Sequence, residues 1–174
     1  STVCLLLSIQ IFASETYRKE ENTLRVMSYN VHNCKGMDNL FDYDRIAEII
    51  NRVNSDVVAL QELDSITERH GGIYAIKELA ERTLMHYTYG AAIDFQGGKY
   101  GIGILSKEKP VRYRSIPLPG REEKRLLLIA EFNEYIFCST HFSLTEEDRE
   151  ESVPIIFKAL ENETKPILLA GDMN

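Results

Sequence analysis

The chain has only three cysteines in 174 residues, and none stands in a CxxC or Cys/His cluster, which excludes a structural zinc module. It has no GxxxxGK[ST] loop, no GxSxG elbow and no HExxH helix, so nucleotide cradling, serine hydrolysis and zinc-protease chemistry find no residues here. No internal repeat or low-complexity tract breaks it up. A surplus of positive charge is also missing. The net charge of −7 and pI near 5.2 exclude a broad basic surface that would hold nucleic acid without specificity. An acidic protein can still act on phosphates if a bound cation supplies positive charge locally. No long hydrophobic run is present either. The longest, Val3 to Ala13 interrupted by Ser8 and Gln10, is too short to span a bilayer and suits the apolar region of a signal peptide.

What remains is ordinary globular material, with 44% hydrophobic and 27% charged residues and enough length for one domain with a real core. Residues 1–14 read as a partial signal peptide, 15–23 as a charged linker and 24–174 as the domain. The expectation is an exported protein, periplasmic or secreted, monomeric and without a transmembrane segment in its mature form. An apolar edge strand is the alternative for the leader. Cys34 and Cys138 can pair in an oxidising compartment or remain free thiols, and the free thiols are the simpler reading.

Leu24 to Asn30 alternates as a strand. Ile46, Ile49, Ile50 and Val53 then mark an amphipathic helix capped by Asp42 or Asp44. Asp56 to Glu62 is an apolar strand ending in polar residues, and a second helix is predicted over 74–84. Five β-like runs follow at 86–93, 100–106, 111–118, 125–132 and 135–142. Thr145-Glu146-Glu147-Asp148 resembles a capping box. The helix it opens is predicted to bury Val153, Ile156, Phe157 and Leu160, with Pro154 kinking it or delaying its start. Ile167 to Ala170 is a last buried strand. Helices and strands alternate around a β-rich middle, the pattern of stacked sheets flanked by helices.

Four of these strands carry a polar group at the carboxyl end: Asn30, Glu62, His141, and Asp172 with Asn174. Asp172 and Asn174, two apart, point to one side. Each ending alone has a bland explanation, a solvated loop start or a turn former. Together they suit metal-assisted phosphate ester hydrolysis. A hard cation takes few carboxylates and keeps waters. Glu62 supplies a carboxylate and Asn30 an uncharged amide. Asp172 and Asn174 can orient a water, and His141 can donate to the phosphate. Arg69-His70-Gly71-Gly72 reads mainly as a solvated loop that can alternatively reach a substrate phosphate. His32 and Asp38 read as rim residues, and Arg121 to Arg125 as a solvated turn whose arginines could guide an anion.

The segments LRVMSYNVH (24–32), DVVALQE (56–62), YGIGILS (100–106), STHF (139–142) and GDMN (171–174) resemble, in order, the endonuclease/exonuclease/phosphatase superfamily of deoxyribonuclease I-like phosphoesterases. The resemblance implies a four-layered α/β sandwich and hydrolysis of phosphoesters dependent on Mg²⁺ or Mn²⁺. It makes Glu62 a metal ligand with Asn30 beside it, His141 a phosphate-facing catalytic residue, and Asp172 with Asn174 a water-orienting pair. Tyr100 is a weaker candidate to line the site, its alternative being an edge-strand aromatic packed on the sheet. The family pattern closes with a later Asp-His pair that lies beyond Asn174. The domain is therefore expected to be incomplete at its carboxyl end, and the chain alone to turn over little substrate, because groups around one phosphate act as a unit. The expected activity is phosphodiesterase or nuclease. The alternatives are a phosphatase of small molecules or lipids, or a non-catalytic binding module of the same fold. The partner is a phosphoester substrate, nucleic acid among the possibilities.

Overall fold

A computed structural model describes residues 16–174. The signal-peptide reading of 1–14 falls outside the described residues. Residues 16–23 form no strand or helix, yet they lie against the domain. The Tyr17 amide donates to the Arg52 carbonyl at 2.8 Å, and Lys19 pairs with Asp56 at 2.5 Å.

The elements follow the predicted order. Strand β1 (Val26–Asn30) leads through helix α1 (Tyr43–Val53) to β2 (Val57–Ser65), and α2 (Ala75–Thr83) follows. Then come β3 (His86–Phe95), β4 (Gly98–Ser106), β5 (Arg112–Leu118), β6 (Arg125–Glu131) and β7 (Ile136–His141). Helix α3 (Glu146–Leu160) and β8 (Ile167–Asp172) complete the described chain. The Asp42 carboxylate accepts from the Arg45 amide at 2.8 Å, which decides the first cap, and Asn54 closes α1 in the left-handed conformation.

Two four-stranded sheets result, ordered β1-β2-β4-β3 and β5-β6-β7-β8. In each, the pair joined across a helix is parallel (β1 with β2, β7 with β8), and the other pairs are antiparallel. Val57, Ala59, Ile102 and Ile104 of one sheet meet Leu126, Leu128, Ala130 and Phe137 of the other in a sealed apolar layer. Helices α1 and α2 cover the outside of the first sheet, and α3 covers the second through Ile156 on Leu127, Ile129 and Cys138. Helix, sheet, sheet, helix: this is the four-layered sandwich the sequence predicts. Parallel pairing has the consequence that matters here. Asn30 lies opposite Gln61, and His141 opposite Asp172, so four strands deliver their carboxyl ends to one rim.

Three local predictions are corrected. Pro154 sits within α3 without delaying its start at Glu146. Thr145 caps no amide with its side chain, its hydroxyl donating to Glu122 Oε2 at 3.3 Å, and the Asp148 carboxylate accepts from the Ser143 hydroxyl and the Arg121 amide. Val153 and Phe157 are not buried. The packed face of α3 is Ser152, Ile155, Ile156, Ala159 and, as predicted, Leu160, and Phe157 stands 72% exposed beside β8. Cys34 and Cys138 are buried free thiols, both pushed up to about 12, mainly by burial.

Candidate active site at the seam between two sheets

The site begins with an irregularity in β2. Pairing with β4 runs in register to Leu60 opposite Gly103 and resumes at Leu63 opposite Gly101. Gln61 and Glu62 thus share a single partner position, a β-bulge that re-aims side chains. Glu62 sits there at φ +63°, a conformation that costs a non-glycine residue on the order of 1 kcal/mol or more. Such strain persists only where neighbouring structure over-determines it, and here β1 and β4 grip β2 on both edges. Gln61 is fully buried beside it, with neither amide atom paired among the described residues.

Asn30 is the hub. Its Nδ2 donates to Glu62 Oε1 at 2.8 Å and to Asp172 Oδ2 at 3.0 Å, and its Oδ1 accepts from the His32 amide at 3.0 Å. Glu62 belongs to the first sheet and Asp172 to the second, so one amide ties the two together. The Asn30 hydrogen bond, first among several causes, holds the Asp172 carboxyl below its ordinary value. Gly171 lets β8 come this close. A methyl group there would overlap the Thr140 carbonyl of β7.

His141 Nε2 lies 3.9 Å from Asp172 Oδ2, inside the charge-pairing range but beyond a hydrogen bond. Burial, followed by the nearby Arg125 cation, pushes its imidazole below the usual histidine range, against the opposing pull of Asp172 and Glu62. At neutral pH the ring is uncharged and able to donate one hydrogen bond. Replacing Arg125 with Met removes one of the two depressing causes, so the His141 titration, followed by ¹H–¹⁵N NMR, is expected to move upward. An unchanged midpoint would remove the cation from this account.

Asn174 stands beside Asp172, its amide N–H donating to Oδ1 at 3.1 Å, while its side-chain Nδ2 donates to the Phe142 carbonyl at 2.7 Å. In this arrangement it braces the end of β8. Tyr100 lies not on an edge but on β4, an interior strand, opposite Asp64. Its phenol is raised above the ordinary tyrosine value by burial and then by the charge of Glu62, and the register puts it across the strand pair two residues past Glu62. Tyr100, Glu123, Arg125 and His141 line one small cavity, and a separate groove of about 560 Å³, which shares Ala92 and Glu123 with it, is lined by Lys99, Arg121 and Lys124 together with Asp94 and Glu122.

Two solvated-loop readings are corrected. Arg125 is nearly buried, its Nη1 held by Glu123 at 2.7 Å and its Nε without a partner among the described residues. His70 is buried as well, its Nδ1 2.5 Å from the Tyr43 hydroxyl and its Nε2 3.2 Å from Asp64. The rim readings fare differently. His32 is exposed next to Asn30, while Asp38 is paired on the surface with Arg45 at 2.7 Å.

Glu62 and Asp172 offer hard carboxylate oxygens at one point, both turned to Asn30 Nδ2, while the Asn30 oxygen faces the His32 amide. That set fits Mg²⁺ or Mn²⁺, which take one or two carboxylates and leave positions for water and substrate. Among the described residues no group of three or more His, Cys, Asp or Glu side chains has metal-binding geometry.

A two-sheet sandwich that gathers an amide, two carboxylates and an imidazole at one rim is the architecture of a deoxyribonuclease I-like phosphoesterase domain. The model described as Endonuclease/Exonuclease/phosphatase family matches residues 27–174, and the chain belongs to that family. Among solved structures it is similar to an endonuclease/exonuclease/phosphatase from Beutenbergia cavernae (25% identity, TM-score 0.72), covering 87% of this chain and 47% of that one. D. rerio TDP2 complexed with single-strand DNA product is 22% identical at TM-score 0.65, with 87% and 60% covered. ANGEL2, described as a 2′,3′-cyclic phosphatase, is 17% identical at TM-score 0.62, with 87% and 52% covered. The last two likenesses concern the fold alone. The chain spans about half the length of the first of these structures. No curated protein matches it.

Proposed function

We propose that this chain carries most of the phosphate site of a divalent-metal-dependent phosphodiesterase, with nucleic acid the favoured substrate class. The observation that carries the reading is the convergence on Asn30, where Glu62 and Asp172 from different sheets reach the same amide nitrogen at 2.8 and 3.0 Å. Glu62 and Asn30 would hold Mg²⁺ or Mn²⁺, which would supply positive charge to the substrate phosphate. Asp172, kept ionised, is suited to orient a water and take its proton. Neutral His141 can donate to a phosphate oxygen, and Tyr100, kept protonated, can donate from the other side of the cavity. Asn174 keeps Asp172 in place. The groove past Lys99, Arg121 and Lys124 is also lined by Asp94, Glu122 and Glu123, with Lys99 and Arg121 already paired to carboxylates, so the diester reading rests on the site itself. Export remains part of the proposal through the apolar segment at 3–13.

The test is metal-dependent hydrolysis by the full-length protein on bis-p-nitrophenyl phosphate, p-nitrophenyl phosphate, single-stranded DNA and a phosphoinositide. Mn²⁺- or Mg²⁺-dependent cleavage of the diesters is expected. Turnover of monoesters alone would move the assignment to a phosphatase. Metal binding with no turnover on any substrate would leave only a binding module.

A further inference from the structure

Behind Glu62 lies a second polar cluster that the proposed chemistry does not use. Asp64, two residues on in β2, is completely buried. Arg69 donates to it through two nitrogens, Nε to Oδ1 at 2.9 Å and Nη2 to Oδ2 at 2.7 Å, the fork geometry only arginine provides. Thr67 Oγ1 adds a bond at 2.7 Å. The guanidinium so fixed is a shelf. Its carbon lies 4.6 Å from the centre of the Phe95 ring and 5.3 Å from that of Tyr100, and the two rings are 6.0 Å apart. Cation–π contacts of this kind are attractive and strengthen as they are desolvated. Tyr100 and Asp64 are cross-strand partners, so the cluster spans the strand pair directly after the bulge that carries Glu62.

We propose that Arg69 is a positioning residue for the phosphate site, clamped by Asp64 so that it fixes the Tyr100 ring against Glu62 and thereby sets the orientation of the Glu62 carboxylate. A carboxylate on a strained bulge needs such a wall, since outer partners of ligating groups typically govern metal affinity by 10–100-fold. The metal part of this inference rests on Glu62 being a ligand. The positioning part does not.

The test uses Arg69→Met, Arg69→Lys, Tyr100→Phe and Tyr100→Leu with two readouts. The first is the ring signal of Tyr100 in ¹³C-tyrosine-labelled protein, assigned by its loss in Tyr100→Phe. The second is the Kd for Mn²⁺. Both arginine variants are expected to collapse the Tyr100 ring signals toward an averaged shift and to weaken Mn²⁺ binding about tenfold or more. Tyr100→Leu, which removes the ring that Arg69 holds, is expected to cost less on top of Arg69→Met than it does alone, because the two act through one contact. Unchanged ring signals in a folded variant, or additive losses of affinity, would overturn the proposal. Should Arg69→Met fail to fold, Arg69→Lys decides by the same readouts, since it keeps the charge and loses the planar fork. A native protein that binds no Mn²⁺ would sink the functional reading, and the ring signals would still decide the positioning.

Discussion

Glu62→Gln is expected to reduce metal-dependent hydrolysis on the order of a thousandfold while leaving the protein folded. The magnitude follows from what a divalent cation contributes to a phosphoryl transition state, several kcal/mol, of which ~4 kcal/mol corresponds to three decades of rate. The replacement is nearly isosteric. Its side-chain oxygen can still accept from Asn30 Nδ2, and the left-handed backbone at this position is no worse for Gln than for Glu. What is lost is one of the two negative charges converging on Asn30. Mn²⁺ binding by calorimetry should fall with the rate, whereas thermal stability should hold or rise slightly because two adjacent carboxylates no longer repel. Retained activity with wild-type metal affinity would take the ligand role away from Glu62.

The second large effect concerns stability. Asp64→Asn is expected to cost about 3 kcal/mol, the low end for stranding a buried charge. For a chain of this size that is a drop of about 6–12 °C in melting temperature. Arg69 would remain half-enclosed beside Phe95 and Tyr100 without its counterion, and His70 would lose its only carboxylate. The effect should carry a pH signature. Burial works to raise the Asp64 carboxyl, but bonds from His70, Arg69 and Thr67 outweigh it and hold the group at about 2. A depressed acid stabilises the fold above its unfolded value and loses that contribution as pH falls through its folded value. The linkage is on the order of 2–3 kcal/mol. The gap between wild type and variant in urea denaturation should therefore be constant above about pH 4, the ordinary aspartate value, and narrow toward pH 2. Parallel curves down to pH 2 would contradict it.

The four strand endings are legible in sequence because each is a sharp change of polarity at the end of an apolar run, and a parallel crossover brings such ends to one rim. Asn30, Glu62, His141 and Asp172 could be named on that basis, and the structure brings them together. The bulge at Glu62 could not be seen, since it exists only relative to β4, some forty residues downstream. Arg69, His70 and Arg125 read as solvated in the sequence for a common reason. A charged residue in a short polar stretch looks solvated until the partner that neutralises it is known, and Asp64 and Glu123 become partners only after folding. The phase of α3 failed differently. Ile156 and Leu160 pack on the second sheet as expected, but Val153 and Phe157 border a groove of about 1030 Å³ with Leu169 and Met173 instead of pointing into the core. Periodicity identifies a stripe, and says nothing of what covers it.

The amide of Asn30 has a mechanical meaning as well as a chemical one. Because its two acceptors ride on different sheets, Asn30 acts as a gauge across their seam. A slip of one sheet past the other too small to disturb either hydrogen-bonded ladder would open one of those two bonds. Mild heat, pressure or denaturant that lets the layers slide should thus silence the chemistry while both sheets are still intact.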